Sequence, residues 1–233
     1  MAAVVDVRDL KKYYQLDAEA TVGLDGVTLT IDPGEFVTVM GPSGSGKSTF
    51  MHIIGLLDEP TSGTSVFDGL VVSSLSDDER ADIRSRRLGF IFQSYNLLPR
   101  TTALENVELP MLYAGVPERE RRRIALDKLG VVGIKERSAH FPNQMSGGQQ
   151  QRVAIARSLV NNPALILADE PTGALDTKTS GEVMQLFKRL NEEQGITILV
   201  VTHEPEVATY GKRVITFRDG KVISDKAPEA VPA

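Results

Sequence analysis

Phe36-Val37-Thr38-Val39-Met40-Gly41-Pro42-Ser43-Gly44-Ser45-Gly46-Lys47-Ser48 carries a short apolar run directly into a loop with three glycines and a lysine. The run has strand length, and the residues after Ser48 begin a helix whose apolar face is offered by Phe50, Met51, Ile53, Ile54 and Leu57. A G-x-x-x-x-G-K-[ST] loop between a strand and a helix is built to hold phosphate. Small residues are needed because backbone N–H groups must approach the phosphate oxygens closely, and the helix N-terminus adds a favourable dipole. Gly41, Pro42, Ser43, Gly44, Ser45, Gly46, Lys47, Ser48 and Thr49 are therefore expected to contact a nucleotide. Lys47 is expected on the β- and γ-phosphates and Ser48 on Mg²⁺. A chance glycine loop is the competing reading, and the flanking strand and helix argue against it.

Outward from this loop the pattern repeats. Val27 to Ile31 alternates like a half-buried strand and ends in the turn Asp32-Pro33-Gly34. Leu88 to Phe92, Ala164 to Ala168 and Ile196 to Val201 are apolar runs of strand length. A helix from about Thr179 to Gln194, capped by Gly195, separates the last two. From Gln93 to about Val160 the pattern becomes helical. Thr102-x-x-Glu105 is a capping box, and Gly130 is placed to end an arginine-rich helix that begins near Pro117. Val214 to Phe217, Asp219-Gly220 and Lys221 to Ile223 read as a closing hairpin. Apolar strands alternating with helices predict an α/β fold with a mainly parallel sheet. The expected division is residues 1–92 and 161–226 as a nucleotide-binding core, 93–160 as a helical insertion, and 227–233 as an Ala/Pro tail or the start of a linker.

A chain of 233 residues can bury one sizeable core with a small inserted unit. The net charge of −5 gives no whole-molecule attraction to nucleic acid, and no nucleic-acid partner is expected. Without cysteine there are no disulfides and no thiolate metal sites. The N-terminus meets charged residues too early for a signal peptide, and no apolar run approaches the length of a membrane span. Any action at a membrane is expected to pass through another polypeptide or a segment outside this sequence. Arg119 to Arg123, with Glu118 and Glu120, reads as a solvated helix face rather than an acid-binding patch.

Two further stretches carry chemistry. Leu165 to Ala168 runs into Asp169-Glu170, and two carboxylates at the exit of a buried strand need a cation, a water or a partner. Asp169 suits the Mg²⁺ shell, and Glu170 is placed to polarise an attacking water as general base. Ser146-Gly147-Gly148-Gln149 is a capping box for the helix running to Val160, and an open helix N-terminus is also an anion site. His203 ends the strand from Ile196 at the nucleotide edge of the sheet, whereas His52 and His140 read as ordinary packing.

The order of these motifs resembles the nucleotide-binding subunits of ATP-binding-cassette transporters over nearly the whole chain. Gly41 to Ser48 stands as Walker A, Gln93 follows a strand, Met145 to Gln149 stands as the signature, and Asp169-Glu170 ends Walker B. Ala174-Leu175-Asp176 is similar to the D-loop, and His203 is similar to the switch histidine. Met145 departs from the usual leucine, with little effect expected because both side chains are apolar and unbranched at Cβ. The resemblance implies a P-loop NTPase, RecA-like core with an antiparallel β subdomain and an inserted α-helical subdomain. It implies ATP and Mg²⁺ as cofactors and an ATP-dependent homodimer. Ser146, Gly147, Gly148, Gln149 and Asp176 would then serve the partner's nucleotide, Ser146 and Gly148 touching the γ-phosphate held by the partner's Lys47. Gln93 would sense Mg²⁺ or the water, and His203 would hold the γ-phosphate and the water of Glu170. An adenine-stacking aromatic is expected on the N-terminal segment; Tyr14 fits best, with Tyr13 its rival and plain strand packing the competing role.

Gly55 to Gly63, Thr102 to Val107 and Asn161-Asn162-Pro163 narrow the resemblance to the macrolide-export and lipoprotein-release group. That implies an integral membrane permease as partner, as a separate chain or a fused domain, and a peripheral position on the cytoplasmic face of the membrane. Two other functions compete with this one. A cassette ATPase acting on nucleic acid or the ribosome usually carries paired cassettes or long coiled-coil insertions, and this chain has neither. A small-molecule kinase would use the phosphate loop but has no role for Ser146 to Gln149 or His203.

Overall fold

The computed structural model of the chain describes residues 2–16 and 19–228. Its strands are β1 (Val5–Leu16), β2 (Glu19–Ile31), β3 (Phe36–Met40), β4 (Ser62–Phe67), β5 (Leu70–Val71), β6 (Leu88–Phe92), β7 (Leu165–Asp169), β8 (Ile198–Val201), β9 (Arg213–Arg218) and β10 (Lys221–Lys226). Its helices are α1 (Lys47–Ile54), α2 (Asp77–Arg87), α3 (Ala103–Tyr113), α4 (Glu118–Val131), α5 (Gly147–Leu159), α6 (Thr177–Gln194) and the short α7 (Pro205–Ala208).

The strands form two sheets, a four-stranded antiparallel one in the order β2-β1-β4-β5 and a six-stranded one in the order β10-β9-β3-β8-β7-β6. In the larger sheet every pairing is parallel except the β9–β10 hairpin. Strands β3, β7 and β8 are buried on both faces, which explains their continuous apolar sequences. Alternate residues serve two different cores. Phe36, Ile166, Ala168, Ile198 and Val200 pack with the helical segment between β6 and β7 and with α6. Val37, Val39, Leu165, Leu167, Leu199 and Val201 pack with α1 and the antiparallel sheet. Among the described residues no helix is long and apolar enough to cross a membrane.

Parallel register places the strand exits side by side. Val39 pairs with Val201, Val201 with Asp169, and Asp169 with Phe92. The loop after β3, the carboxylates after β7, Thr202-His203 after β8 and Gln93 after β6 therefore meet at one edge, where ligands of open α/β sheets bind.

Several expected boundaries move. Strand β2 starts at Glu19, well before Val27, and pairs with β1, whose sequence carries no clear period-two alternation. Leu57 lies beyond α1 and is half exposed, so it is no part of that helix's apolar face. Gly130 sits inside α4; the helix runs to Val131, and Gly133, at φ +75°, supplies the left-handed turn. Helix α6 begins at Thr177 with Asp176 as its N-cap. Of the expected tail, residues 229–233 lie outside the described residues.

Candidate active site

The phosphate loop owes its shape to contacts that exclude side chains. A Cβ added to Gly41 would stand 2.3 Å from the Phe217 carbonyl oxygen, and one added to Gly46 would stand 2.5 Å from the Gly23 carbonyl oxygen. Gly46 caps α1 at φ 103° without offering a side-chain acceptor, which leaves the first N–H groups of the helix facing the loop. Lys47 is nearly buried and donates from Nζ to the carbonyls of Gly41 at 2.8 Å and Pro42 at 2.9 Å. Ser45 Oγ is buried with no hydrogen-bond partner. A cationic side chain parked on its own loop, an orphan hydroxyl and unsatisfied N–H groups fit a phosphate chain.

The loop forms one wall of a cleft of about 890 Å³, a size suited to a nucleotide. Residues 42–49 line it together with Tyr14, Thr21, Val22, Gly23, Gln93, Asp169, Glu170, Val201 and His203. Of the residues expected at the chain's own nucleotide, only Gly41 is absent from the lining, because it packs behind the loop.

Glu170 follows β7 with its backbone at φ +45°, held there by its N–H, which donates to Val201 O at 2.9 Å. Its Oε1 lies 2.8 Å from His203 Nδ1, and its Oε2 accepts from Thr202 Oγ1 at 3.3 Å. A carboxylate only accepts, so His203 Nδ1 carries the proton between them. That hydrogen bond, and then the charge of Glu170, raise the His203 pKa above its ordinary value. Burial, followed by the charge of Glu170, raises that of Asp169. Gln93 leans on Gly173, where an added Cβ would stand 2.7 Å from Nε2, so the glycine makes room for it. Ser48, Asp169 and Gln93 offer oxygen donors, the type a hard divalent cation prefers. Among the described residues no cluster of three or more His, Asp or Glu side chains forms a ready-made metal cage, so such an ion would draw most of its shell from phosphates and water.

Ser146 to Gln149 take no part in this cleft. Ser146 is the exposed N-cap of α5, accepting from Gln149 N at 3.3 Å, while Gln149 Oε1 accepts from Ser146 N at 3.0 Å. Asp176 caps α6 through Thr179, and Thr179 Cγ2 in turn fills the space beside Gly148. Signature and Asp176 thus form one surface outside the chain's own site. Tyr14 lines the cleft and Tyr13 does not; the Tyr13 hydroxyl lies 3.4 Å from Asp25 instead. His140 contacts Arg137 Nη1 at 3.0 Å, away from the cleft. Arg119, Arg122 and Arg123 are exposed on α4, as a solvated face should be, whereas Arg121 is half-buried and donates from Nη1 to Val116 O at 2.7 Å, so it does not belong to that face.

Two partners were not legible beforehand. Asp58 receives the Tyr14 hydroxyl, and Arg157 on α5 donates to Asn96 O at 2.6 Å and Tyr95 O at 2.9 Å, fastening the loop that follows Gln93. Both act across long sequence separations, and neither belongs to a local motif.

The sequence profile described as "ABC transporter" matches residues 24–173, more than half of the chain. The chain belongs to the ABC transporter family. It is 53% identical over 222 residues to an uncharacterized ABC transporter ATP-binding protein of Thermotoga maritima, covering 95% of this chain and 94% of that one. It is 50% identical over 221 residues to the macrolide export ATP-binding/permease protein MacB of Syntrophobacter fumaroxidans, covering 94% of this chain but 31% of MacB. Among solved structures, the dimeric post-hydrolysis state of the ATP-binding cassette MJ0796 bound to ADP and Pi superposes with a TM-score of 0.88 at 48% identity, covering 97% of this chain and all of the other. As an ABC transporter ATP-binding protein, the chain has the P-loop ATPase fold expected of it: a mainly parallel sheet, an antiparallel β sheet and a helical segment.

Proposed function

We propose that two copies of this chain close head to tail on two ATP molecules and separate after hydrolysis, driving a membrane permease of the MacB and FtsX kind from the cytoplasmic face. The work done there is export, lipoprotein release or mechanical signalling. One observation carries the reading: the helix start from Ser146 to Gln149, with Ser146 exposed at its tip, lies outside the cleft that holds Lys47, so it can meet phosphate only in another molecule. Its support among relatives is a dimeric cassette with ADP and Pi and transporters in which the ATP-binding part is joined to a permease.

Tyr14 stacks on the adenine, and the N–H groups of residues 41–49 bind the phosphates. Lys47 leaves the Gly41 and Pro42 carbonyls for the β- and γ-phosphate oxygens. Glu170 takes the proton of the attacking water, while His203 and Thr202 hold its carboxylate in place. Gln93 orders the water from the side of β6. Ser48, Asp169 and Gln93 would hold Mg²⁺, which when bound neutralises charge between the phosphates. Ser146 and Gly148 of the opposing chain cover the γ-phosphate, with Gly147, Gln149 and Asp176 shaping the contact. Loss of the γ-phosphate removes the bridge between chains and releases the dimer.

The test is complementation. A Lys47→Ala chain and a Ser146→Arg chain are each inactive alone under this reading. Mixed, they form dimers in which one site holds a wild-type Lys47 and a wild-type Ser146, so hydrolysis returns in part. Mixtures as inactive as their components, although the mixed dimer is shown to form, would reject the composite site.

A further inference from the structure

Asp58 has no part in the chemistry above, yet it gathers three donors at the rim of the cleft. Its Oδ2 accepts from the Tyr14 hydroxyl at 2.9 Å. Its Oδ1 accepts from Lys12 Nζ at 2.6 Å and from Glu59 N at 2.7 Å. Lys12 also donates to Glu59 O at 2.7 Å, and its ammonium stands 5.0 Å from the centroid of the Tyr14 ring. The ring edge rests on Gly23, where an added Cβ would come within 2.9 Å of Tyr14 Cε2. Gly23 is the extra residue of a bulge, since Lys12 pairs with Leu24 and Tyr13 with Val22. The loop carrying Asp58 is itself fastened to α2: Arg84 Nη1 donates to Leu56 O at 2.7 Å, and Arg80 forms an ion pair with Glu59.

We propose that Asp58, with Lys12, is a positioning residue for base recognition, holding the Tyr14 ring in the orientation on which a purine base stacks. The proposal rests on the reading of Tyr14 as the base platform and adds to it a reason for the platform's rigidity. A tyrosine near a strand end is free to turn about two side-chain torsions, and ordering it during binding costs affinity. Here its hydroxyl is tied to Asp58 and also meets the Thr49 side chain, its edge is set against Gly23, and a cation stands over its ring. The Lys12–Asp58 pair is mostly shielded, with 14% and 29% of the side chains exposed, so it holds better than an open surface pair. Base recognition thereby depends on a loop that begins right after α1, the same helix that presents the phosphate loop.

The experiment compares binding of ATP with binding of inorganic tripolyphosphate, which has the phosphates and no base, by calorimetry in excess Mg²⁺. Tyr14→Ala, Tyr14→Phe, Asp58→Ala and the Tyr14→Phe/Asp58→Ala pair, each carrying Glu170→Gln to block turnover, are measured against Glu170→Gln alone. The proposal expects Asp58→Ala and Tyr14→Phe each to weaken ATP by about three- to tenfold, the scale of one hydrogen bond, with tripolyphosphate unchanged. The double variant should lose little beyond the larger single effect, because both changes cut the same bond. Tyr14→Ala weakening ATP while Asp58→Ala and Tyr14→Phe leave it unchanged would overturn the positioning role and keep the platform. If Tyr14→Ala leaves ATP binding intact, the platform reading fails and the proposal with it. Equal losses for ATP and tripolyphosphate in Asp58→Ala would mean general distortion of the cleft and would also overturn it. Should Asp58→Ala fail to fold, Tyr14→Phe alone decides: an ATP-selective loss supports the proposal, and unchanged affinity contradicts it.

Discussion

Nδ1 of His203 lies 2.8 Å from Oε1 of Glu170, and the two side chains differ sharply in setting. The histidine is 68% exposed, whereas the glutamate is 19% exposed and stands on a left-handed backbone. Each comes from the exit of a neighbouring parallel strand, so sheet register brings them together without help from a ligand. The carboxylate is thus oriented in the nucleotide-free chain, which suits the role of general base proposed for it.

This contact sets the titration of His203. Because the hydrogen bond to Glu170 raises its folded pKa, the contact's contribution is fully present below the unfolded value of about 6.5 and is lost as pH rises through the folded value. In ring-proton NMR of the nucleotide-free protein, the His203 midpoint should lie above that of a free histidine. Glu170→Gln should move it down. Equal midpoints in the two proteins would mean that the pair does not form in solution.

Lys47 should matter to stability as well as to ATP. Its Nζ satisfies the Gly41 and Pro42 carbonyls from a nearly buried position. Lys47→Ala removes both donors and should lower the stability of the nucleotide-free chain by about 1–3 kcal/mol in urea unfolding, besides abolishing ATP binding. Unchanged stability would show that the carbonyls find other partners.

What the sequence revealed, and what it hid, follows from where each signal resides. The phosphate loop was legible because its glycines, lysine and serine stand at a fixed local spacing between a strand and a helix, although the carbonyls that crowd Gly41 and Gly46, those of Phe217 and Gly23, lie far away in sequence. Strands β3, β7 and β8 were legible because burial on both faces makes them continuously apolar. Strand β1 was not: its register breaks between Val7 and Leu10 and again between Lys12 and Tyr13, so its period-two alternation is lost. Helix α2 buries no residue and shows no apolar stripe, although Ser76 and Glu79 form a capping box at its start. The pairs Tyr14–Asp58 and Arg157–Tyr95 join residues far apart in sequence, and a single chain read in order has no marker for them.

Arg157 offers a test of one hidden contact. Burial lowers its pKa, and its guanidinium spans the Tyr95 and Asn96 carbonyls, whose residues are both left-handed. Arg157→Ala should loosen this loop and lower kcat by about tenfold or more, because the adjacent Gln93, proposed to order the water, loses its support. Hydrogen exchange should rise at residues 94–97 while α6 remains protected. A variant with normal exchange and normal kcat would show that the loop keeps its shape without the arginine.

The most direct test of the composite-site account uses Glu170→Gln, which removes the proposed general base and leaves the phosphate loop intact. With saturating ATP and Mg²⁺, light scattering on a sizing column should give twice the 25.4 kDa of one chain, and without nucleotide the mass of one chain. A Glu170→Gln protein that binds ATP, measured independently, yet elutes as a monomer would contradict the account.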